Sequence, residues 1–345
     1  MVREFDLETF FKRRTQLPLI DVRSPGEFRH GHIPSAISLP VFTDEERAII
    51  GTIYKRKSKA KAMEKALEIV KPKEKAILSE VADICLKGDN EVLVHCWRGG
   101  LRSRKFSEFL SENGVKVNLL IGGYKAYRNA IYTTFKQPWK LIVLGGMTGT
   151  GKTDILMELK RRGHQTICLE SLAKHRGSAF GRLGQEGQPT TEQFQNNLWE
   201  KWSALDISRP VIVEDESQAI GSVRIPDDLF AAMRTSPVVN LELSREQRAE
   251  RLVLDYGKFE ISALKNSVLS ISKRLGQERA TRAVQDLEAG NLTDVAISTL
   301  QYYDKAYTFG LNKREKSSVQ TIKTNSGDAV VNAGIVEEYL VNLEL

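Results

Sequence analysis

One glycine-rich loop, flanked by a predicted strand and a predicted helix, constrains the fold of this chain more than any other stretch. The apolar residues 139–144 predict a buried strand, and the eight residues from Gly146 to Thr153 meet the complete G-x-x-x-x-G-K-[ST] pattern. Residues 155–159 continue as an amphipathic stretch, which Gly163 is expected to end. A strand, this loop and a helix in that order predict an α/β domain that binds phosphate groups at the loop.

The residues of this phosphate loop (residues 146–153) suit a diphosphate. Its glycines let backbone N–H groups approach phosphate oxygens, Lys152 neutralises the terminal phosphate and Thr153 can hold Mg²⁺. A later predicted strand end supplies Glu214 or Asp215 for a metal-bound water, and the sequence does not choose between the two; a plain solvated acidic cluster is the alternative. We predict diphosphate binding by Gly146, Thr148, Gly149, Gly151, Lys152 and Thr153, and metal binding by Thr153, Glu214 and Asp215.

A second glycine-rich loop carries a cysteine. The apolar residues 91–94 predict a buried strand, and the cysteine loop (residues 95–102) follows it directly. A helix beginning near Ser103 would point its positive end at the Cys96 sulfur and favour the thiolate. The span from Cys96 to Arg102 makes a cradle for a tetrahedral oxyanion, with Arg102 binding two of its oxygens. We predict that Cys96, Arg98 and Arg102 are catalytic, with phosphate, thiophosphate or selenophosphate as the anion; a buried cysteine at a strand end is the alternative.

The first part of the chain resembles the rhodanese family. The Asp-x-Arg pair at residues 21–23, the Glu-Phe pair at residues 27–28, the Gly-His-Ile-Pro-x-Ala turn at residues 31–36 and the cysteine loop occur in that family's order. The resemblance covers about residues 5–130, and it implies a small α/β domain with a parallel sheet and Cys96 at the C-terminal end of a strand. The Cys-x5-Arg spacing, preceded by His95, departs from the common rhodanese pattern and is also the signature of cysteine-based phosphatases.

A chain of 345 residues is expected to form two domains, with a break near Pro138. We predict an N-terminal rhodanese-like parallel-sheet domain over residues 1–136, with a basic helical insertion at about 42–77. A C-terminal P-loop NTPase-like α/β domain with a helical C-terminal part is predicted over residues 137–345. Residues 5–15, including Phe5, are expected to form a short amphipathic helix, and Tyr303 and Tyr307 are expected in the core of a later helix.

Basic residues are concentrated in the front of the chain. Residues 1–136 contain 25 Lys and Arg against 17 Asp and Glu, whereas residues 137–345 contain 26 against 27. This imbalance favours a polyanionic partner such as nucleic acid, and a solvated basic face is the alternative. The candidates for contacts with a nucleic-acid backbone are Lys55, Arg56, Lys57, Lys59, Lys61, Lys273 and Arg274.

Other signals concern location and a further loop. The three cysteines are far apart, which argues against a disulfide framework or a zinc cluster. No segment resembles a signal peptide or a membrane span, so we expect a cytoplasmic protein.

The glycine-rich, basic residues 175–182 lack helical periodicity and are interpreted as an ordered functional loop, here called the substrate loop, with His175, Arg176 and Ser178 as candidate site residues.

With residues 175–178, 214–217 and 274–277 added, the whole chain resembles the tRNA 2-selenouridine synthase family. The resemblance implies a transferase that acts on the wobble 2-thiouridine in the anticodon loop of tRNA. A geranyl group from geranyl diphosphate first alkylates the sulfur, and selenium from selenophosphate then replaces the geranylated sulfur. The two co-substrates are thus the expected small molecules, with no haem, flavin or zinc and no membrane partner. Mg²⁺ is a further candidate, and the sequence leaves open whether it is required. The sequence carries no signal for an oligomeric state.

Three other classes of function remain open. A P-loop kinase with a regulatory rhodanese-like domain predicts ATP turnover that Lys152→Ala abolishes and Cys96→Ser leaves unchanged. A cysteine phosphatase predicts phosphate release that needs no phosphate loop. A non-catalytic tRNA-binding protein predicts binding without chemistry at either loop. Within the favoured family, Cys96 either carries selenium or attacks the base carbon, and the sequence does not separate these roles.

Overall fold

The computed structural model describes residues 2–86 and 90–342, and the chain forms two compact units, residues 1–134 and 135–345. Each unit is built on a five-stranded parallel sheet. Parallel strands joined by crossover helices are the hallmark of α/β domains, so the predicted fold class is confirmed.

The first unit has a sheet in the order β1-β5-β4-β2-β3. Its strands are β1 (Val2–Phe5), β2 (Leu19–Asp21), β3 (Ile37–Ser38), β4 (Glu91–His95) and β5 (Lys116–Leu120). Its helices are α1 (Leu7–Arg14), α2 (Pro25–His30), α3 (Asp44–Arg56), α4 (Lys59–Val70), α5 (Glu74–Cys85), α6 (Leu101–Glu112) and α7 (Gly123–Phe135). The central strand β4 is buried from Val92 onward, as its apolar run predicts, and it delivers the cysteine loop to the C-terminal edge of the sheet.

The prediction that Phe5 belongs to a helix is wrong. Phe5 ends the edge strand β1 and pairs with Leu120 of β5. The helix begins only after Asp6, whose carboxylate accepts a hydrogen bond from the Thr9 N–H at 2.8 Å. An N-cap of this kind satisfies a free helix donor, and it separates the strand from α1.

The basic insertion is helical throughout and extends beyond the expected residues. Thr43 caps α3, with Glu46 completing a capping box, and Ser58 caps α4. The third helix, α5, continues to Cys85 and packs Ile77 and Val81 into the core of the unit. The insertion is therefore anchored through α5, while most of α3 and the start of α4 face solvent.

The second unit has a sheet in the order β12-β11-β6-β8-β7. Its strands are β6 (Leu141–Gly146), β7 (Gln165–Ile167), β8 (Val211–Glu214), β9 (Ala219–Ile220), β10 (Val223–Arg224), β11 (Val238–Glu242) and β12 (Val319–Lys323), of which β9 and β10 form a separate hairpin. Its helices are α8 (Lys152–Arg161), α9 (Leu169–Ala173), α10 (Thr191–Trp202), α11 (Asp227–Thr235), α12 (Arg245–Tyr256), α13 (Ile261–Ser270), α14 (Ser272–Leu275), α15 (Gln277–Glu288), α16 (Leu292–Leu311) and α17 (Ala329–Asn342).

Strand β6 lies at the centre of this second sheet. Val143 and Leu144 are fully buried between β8 and β11, which matches the continuous apolar run of a strand covered on both faces. The strand ends at Gly146, so the phosphate loop emerges at the middle of the C-terminal edge. The helices α12, α13, α15 and α16 form a helical layer with its own apolar cluster. No helix among residues 2–86 and 90–342 is long and apolar enough to cross a membrane.

Candidate functional site

The cysteine loop holds a buried sulfur next to a hydroxyl. Cys96 follows β4 directly and is only 3% exposed. Its Sγ lies 3.0 Å from the Ser103 Oγ in the first turns of α6. Because α6 begins at Leu101, its N-terminal end lies beside the loop, as the sequence predicts. The sulfur thus lies between the end of β4 and the first turns of α6, with the Ser103 hydroxyl as its neighbour.

Gly123 fixes the shape of the cysteine loop from outside. The carbonyl of Cys96 accepts a hydrogen bond from Tyr124 N at 2.8 Å, and the carbonyl of Trp97 accepts one from Lys125 N at 2.9 Å. These contacts bring the start of α7 so close that a Cβ at position 123 would clash with the Cys96 carbonyl and lie 2.5 Å from Gly99 N. Gly123 also has φ of +60°, a conformation that favours glycine.

Arg102 is held by an acidic partner that the sequence analysis did not identify. Its guanidinium donates to both carboxylate oxygens of Glu27, at 2.6 and 3.2 Å. Burial alone would raise the pKa of Glu27, but the hydrogen bonds and charge of Arg102 outweigh it and lower the pKa to about 2. An oxyanion in the cradle must therefore share Arg102 with Glu27. Arg98 is exposed, and no carboxylate within the described ranges pairs with it.

A buried charged network lies under the cysteine loop. Arg23 forms an ion pair with Asp21 at 2.6 Å, and both side chains are almost fully buried. Its guanidinium also stacks over the Tyr124 ring at 3.8 Å, next to Gly123. Burial lowers the pKa of His95, against the opposing charge of Asp21 at 3.6 Å, so the ring is neutral at pH 7. The Asp-x-Arg pair thus serves to position α7 and the strand end that carries Cys96.

The phosphate loop borders a cavity of about 770 Å³. Gly149 and Gly151 have φ of +85° and +86°, which turns successive backbone N–H groups toward one side. Lys152 donates to the Gly146 carbonyl at 2.8 Å, so its ammonium lies across the loop. All six predicted diphosphate-binding residues line this cavity. The structure thus brings them together on one surface.

Glu170 and Glu216 line the cavity, and the buried Glu214 lies within reach of the Thr153 hydroxyl. Thr153 Oγ1 donates to Glu170 at 3.0 Å, with Glu214 at 3.4 Å. Burial raises the pKa of Glu214 to about 7, and the charge of Glu170 adds to this effect. Burial and the charge of Glu170 likewise raise the pKa of Glu216 well above its ordinary value. Carboxylates crowded in this way repel one another, and a cation relieves that repulsion.

Asp215, a predicted metal ligand, is paired with an arginine and not with Thr153. Its carboxylate accepts a hydrogen bond from Arg314 at 2.6 Å, and the charge is thereby already compensated. Glu170, which the sequence analysis did not single out, lies beside Thr153 instead. Within residues 2–86 and 90–342 no group of three or more His, Cys, Asp and Glu side chains is arranged to hold a metal ion by itself. Thr153 with Glu170 or Glu214 suits Mg²⁺ only in the way typical of phosphate loops, with phosphate and water completing the shell.

The substrate loop closes over the carboxylates. A Cβ at Gly177 would lie 2.9 Å from Glu170 Oε1 and 3.1 Å from Glu216 Oε2, and the residue has φ of +68°. Arg176 and Ser178 line the cavity. His175 is buried behind them and accepts a hydrogen bond from Gly177 N at 3.2 Å, so its role is to shape the loop.

Helix α16 carries side chains that sequence reasoning placed in the core. Tyr303 accepts a hydrogen bond from Ala179 N at 2.8 Å, and Tyr307 accepts one from Gly146 N at 2.8 Å. Both tyrosines line the cavity, so the prediction that they are core residues is wrong. A helical face toward a polar cavity has the same periodicity as one toward a core, which explains the error.

The buried pair of Arg248 and Asp304 supports the phosphate loop from behind. The guanidinium makes two hydrogen bonds to the carboxylate, at 2.8 and 2.9 Å, and one to the Thr148 carbonyl at 3.1 Å. Arg248 is 3% exposed and is therefore a structural support of the loop.

The candidate tRNA contacts are all exposed. Those of the first unit lie at the end of α3 and the start of α4, and those of the second unit lie on α14. The residues in question are Lys55, Arg56, Lys57, Lys59, Lys61, Lys273 and Arg274. Exposure and charge agree with contacts to a nucleic-acid backbone, which stay a prediction.

Comparison with known proteins gives family matches to both units. A family model described as the tRNA 2-selenouridine synthase AAA domain matches residues 139–263, and a model of the rhodanese-like domain matches residues 7–130. The fold prediction, a rhodanese-like domain followed by a P-loop domain, is confirmed.

Curated relatives match over most of the chain. A tRNA 2-selenouridine synthase of Psychromonas ingrahamii is 33% identical, over 86% of this chain and 88% of its own. Relatives of the same description from Bdellovibrio bacteriovorus and Nitrosomonas europaea are 33% and 32% identical, over 91% and 95% of this chain and 93% and 96% of their own.

Proposed function

The chain belongs to the family of tRNA 2-selenouridine synthases, and from that premise we propose that it converts wobble 2-thiouridine of tRNA into 2-selenouridine in two steps. The first step alkylates the sulfur with a geranyl group, and the second replaces the geranylated sulfur by selenium. The observation that carries the proposal is the presence of two glycine-rich loops of different chemistry at the C-terminal ends of parallel strands, one with Lys152 on a cavity and one with the buried Cys96. The reaction is proposed for the cytoplasm, where tRNA resides.

The phosphate loop serves the first step as a clamp for the leaving group. The thiocarbonyl sulfur attacks carbon 1 of geranyl diphosphate, the new S–C bond forms, and the C–O bond to diphosphate breaks. Negative charge develops on the diphosphate, where the backbone N–H groups of residues 146–153 and the Lys152 ammonium stabilise it. A bound Mg²⁺ at Thr153 would neutralise further charge on the same group. Hydrolysis of ATP is not required by this chemistry.

The cysteine loop serves the second step. Alkylation makes the sulfur a good leaving group, so that selenium from selenophosphate can take its place on carbon 2 of the base. The carbon–sulfur bond breaks and geranylthiol leaves, and the P–Se bond breaks as water takes the phosphoryl group to give inorganic phosphate. Arg98 and Arg102 receive the anion, with Arg102 shared between it and Glu27. Cys96 either holds the selenium donor next to the base without forming an S–Se bond, or its thiolate attacks carbon 2, displaces geranylthiol and is displaced in turn by selenium.

The substrate is a tRNA, contacted through its anticodon loop. A base in a single-stranded loop can be splayed out without breaking a helix, and it can thus reach each site in turn. The exposed basic residues from the end of α3 to the start of α4, such as Lys57 and Lys59, are proposed to contact phosphates. The substrate loop, with Arg176 and Ser178 on the cavity, is proposed to guide the base or the prenyl diphosphate.

The test is nucleoside mass spectrometry on thiolated tRNA incubated with the protein, geranyl diphosphate and selenophosphate, each omitted in turn. Geranylated nucleoside is expected without selenophosphate, and selenouridine with both. Lys152→Ala should abolish the first step and Cys96→Ala only the second. Lys160→Ala on the exposed face of α8 and Cys85→Ala in the core are matched controls. Consumption of ATP without any change in the nucleoside would overturn the proposal in favour of a kinase.

A further inference from the structure

A small apolar pocket opens from the wall of the phosphate-loop cavity. It has a volume of about 50 Å³ and lies among the helices α12, α13, α15 and α16. Its inner wall is aliphatic and aromatic, and none of its lining side chains carries a charge. The residues that line this pocket and not the larger cavity include Phe180, Leu264, Leu287, Val295, Ala296 and Thr299.

The pocket and the phosphate-loop cavity share their boundary. Thr148 of the phosphate loop, Leu252 of α12 and Tyr303 of α16 line both. Leu252 packs so closely on the loop that a Cβ at Gly149 would lie 3.3 Å from its Cγ. A molecule bound through a diphosphate to the loop therefore has an apolar recess within reach of its next atoms.

Two hydroxyls on the wall already have partners inside the protein. The Thr299 hydroxyl donates to the Val295 carbonyl at 2.9 Å, and the Tyr303 hydroxyl accepts from Ala179 N at 2.8 Å. A nucleobase is held by hydrogen bonds to its edge, whereas a hydrocarbon needs only the exclusion of water. The recess thus fits a hydrocarbon better than the base of a nucleotide.

We propose that this recess binds the hydrocarbon end of the prenyl diphosphate and limits the length of chain that the enzyme transfers. The assignment rests on the proposed function and names the binding site of its first co-substrate. Leu252 lines both cavities and would contact the first isoprene unit, whereas Leu287 and Ala296 line only the recess. At about 50 Å³ the recess is smaller than one isoprene unit, so any chain must move its inner wall apart, and a longer chain must move it further.

Two substitutions of opposite effect test the assignment in the full chain. Ala296→Leu narrows the recess and should lower the rate with geranyl diphosphate relative to dimethylallyl diphosphate by about tenfold. Leu287→Ala widens the recess and should raise the rate with farnesyl diphosphate by about tenfold. A change of this size is typical when the volume of an apolar pocket changes by one or a few methylene groups. Ala231→Leu and Leu254→Ala, both at exposed positions outside the two cavities, are matched controls. Binding of inorganic diphosphate should stay unchanged in all four variants and reports an intact phosphate loop.

Photolabelling of the unaltered protein provides a second measurement that does not depend on variants. A geranyl diphosphate analogue with a diazirine on its terminal isoprene unit should label peptides that contain Leu264, Leu287 or Val295. Labelling elsewhere, or variants that alkylate tRNA with the chain-length preference of the unaltered protein, would overturn the assignment. Failure of the unaltered protein to alkylate tRNA with any prenyl diphosphate would instead overturn the proposed function.

Discussion

Tyr307 on α16 accepts a hydrogen bond from the backbone N–H of Gly146, the first glycine of the phosphate loop, at 2.8 Å. The same hydroxyl donates to Asn240 of β11 at 3.0 Å. One phenol thus joins the helical layer, the central strand and its neighbour at the point where the phosphate loop leaves the sheet. The geometry of the loop therefore depends on a residue 161 positions away in sequence.

Tyr307→Phe removes that hydroxyl and leaves a buried N–H without its partner, at a cost of roughly 1 to 3 kcal/mol. We expect the fold to persist and the binding of inorganic diphosphate to weaken about tenfold, because Gly146 is no longer held in place. Isothermal titration calorimetry checks this. Tyr302→Phe on the same helix is the control, and equal affinities of the two variants would contradict the expectation.

Gly123→Ala should disable the cysteine loop without touching the phosphate loop. The added Cβ clashes with the Cys96 carbonyl, and the left-handed backbone is strained in alanine. We expect loss of selenium transfer and normal geranylation in nucleoside mass spectrometry. Gly100→Ala in the same loop, where a Cβ meets nothing within 4 Å, is the matched control. Normal selenouridine formation by Gly123→Ala would show that the loop can move away.

The pair of Glu27 and Arg102 should make stability depend on acid pH. The pKa of Glu27 in the fold, about 2, lies below its ordinary value of 4.5, so the pair stabilises the fold fully above about 4.5. This stabilisation is lost as the pH falls through about 2. The difference in unfolding midpoint between the unaltered protein and Glu27→Gln should accordingly shrink across that range. Glu80→Gln, at an exposed position of α5, should show no such trend.

Magnesium-assisted diphosphate binding should strengthen as the pH rises through about 7. Burial and the charge of Glu170 raise the pKa of Glu214 to about 7, and a cation can bind the carboxylate only after its proton leaves. Calorimetric titrations with Mg²⁺ and diphosphate in buffers of different ionisation enthalpy measure the released protons. Glu170→Gln should reduce both the affinity and the pH dependence, and chelation by EDTA should abolish them. An affinity for Mg²⁺ and diphosphate independent of pH would exclude this cluster as the cation site.

The basic stretch across α3 and α4 should govern the salt dependence of tRNA binding. Each lost phosphate contact lowers the slope of log affinity against log salt concentration by about one unit. Replacing Lys57, Lys59 and Lys61 by alanine should therefore reduce the magnitude of the slope by about two to three units. Lys65→Ala serves as control, because Lys65 is paired with Glu68 on the same helix. An unchanged slope would remove this stretch from the tRNA interface.

Sequence reasoning succeeded where a local motif carries the chemistry. The phosphate loop, the cysteine loop and the buried strands that deliver them are each encoded within about a dozen consecutive residues. It missed partners that only tertiary structure brings close. Glu27 is 75 positions from Arg102, and Glu170 lies in a five-residue helix with no motif around it. Tyr303 and Tyr307 share the spacing of core residues, and only the polar neighbours of their hydroxyls reveal their roles.

The spacing of three side chains along α16 determines where inserted residues would break contacts. Tyr303, Asp304 and Tyr307 contact the substrate loop, the buried Arg248 and the phosphate loop, one after another along a single helical turn. Inserting one residue between Tyr303 and Tyr307 would rotate one tyrosine relative to the other by about 100° and break one of the contacts. Insertions beyond Leu311, after the helix has ended, leave these three contacts in register.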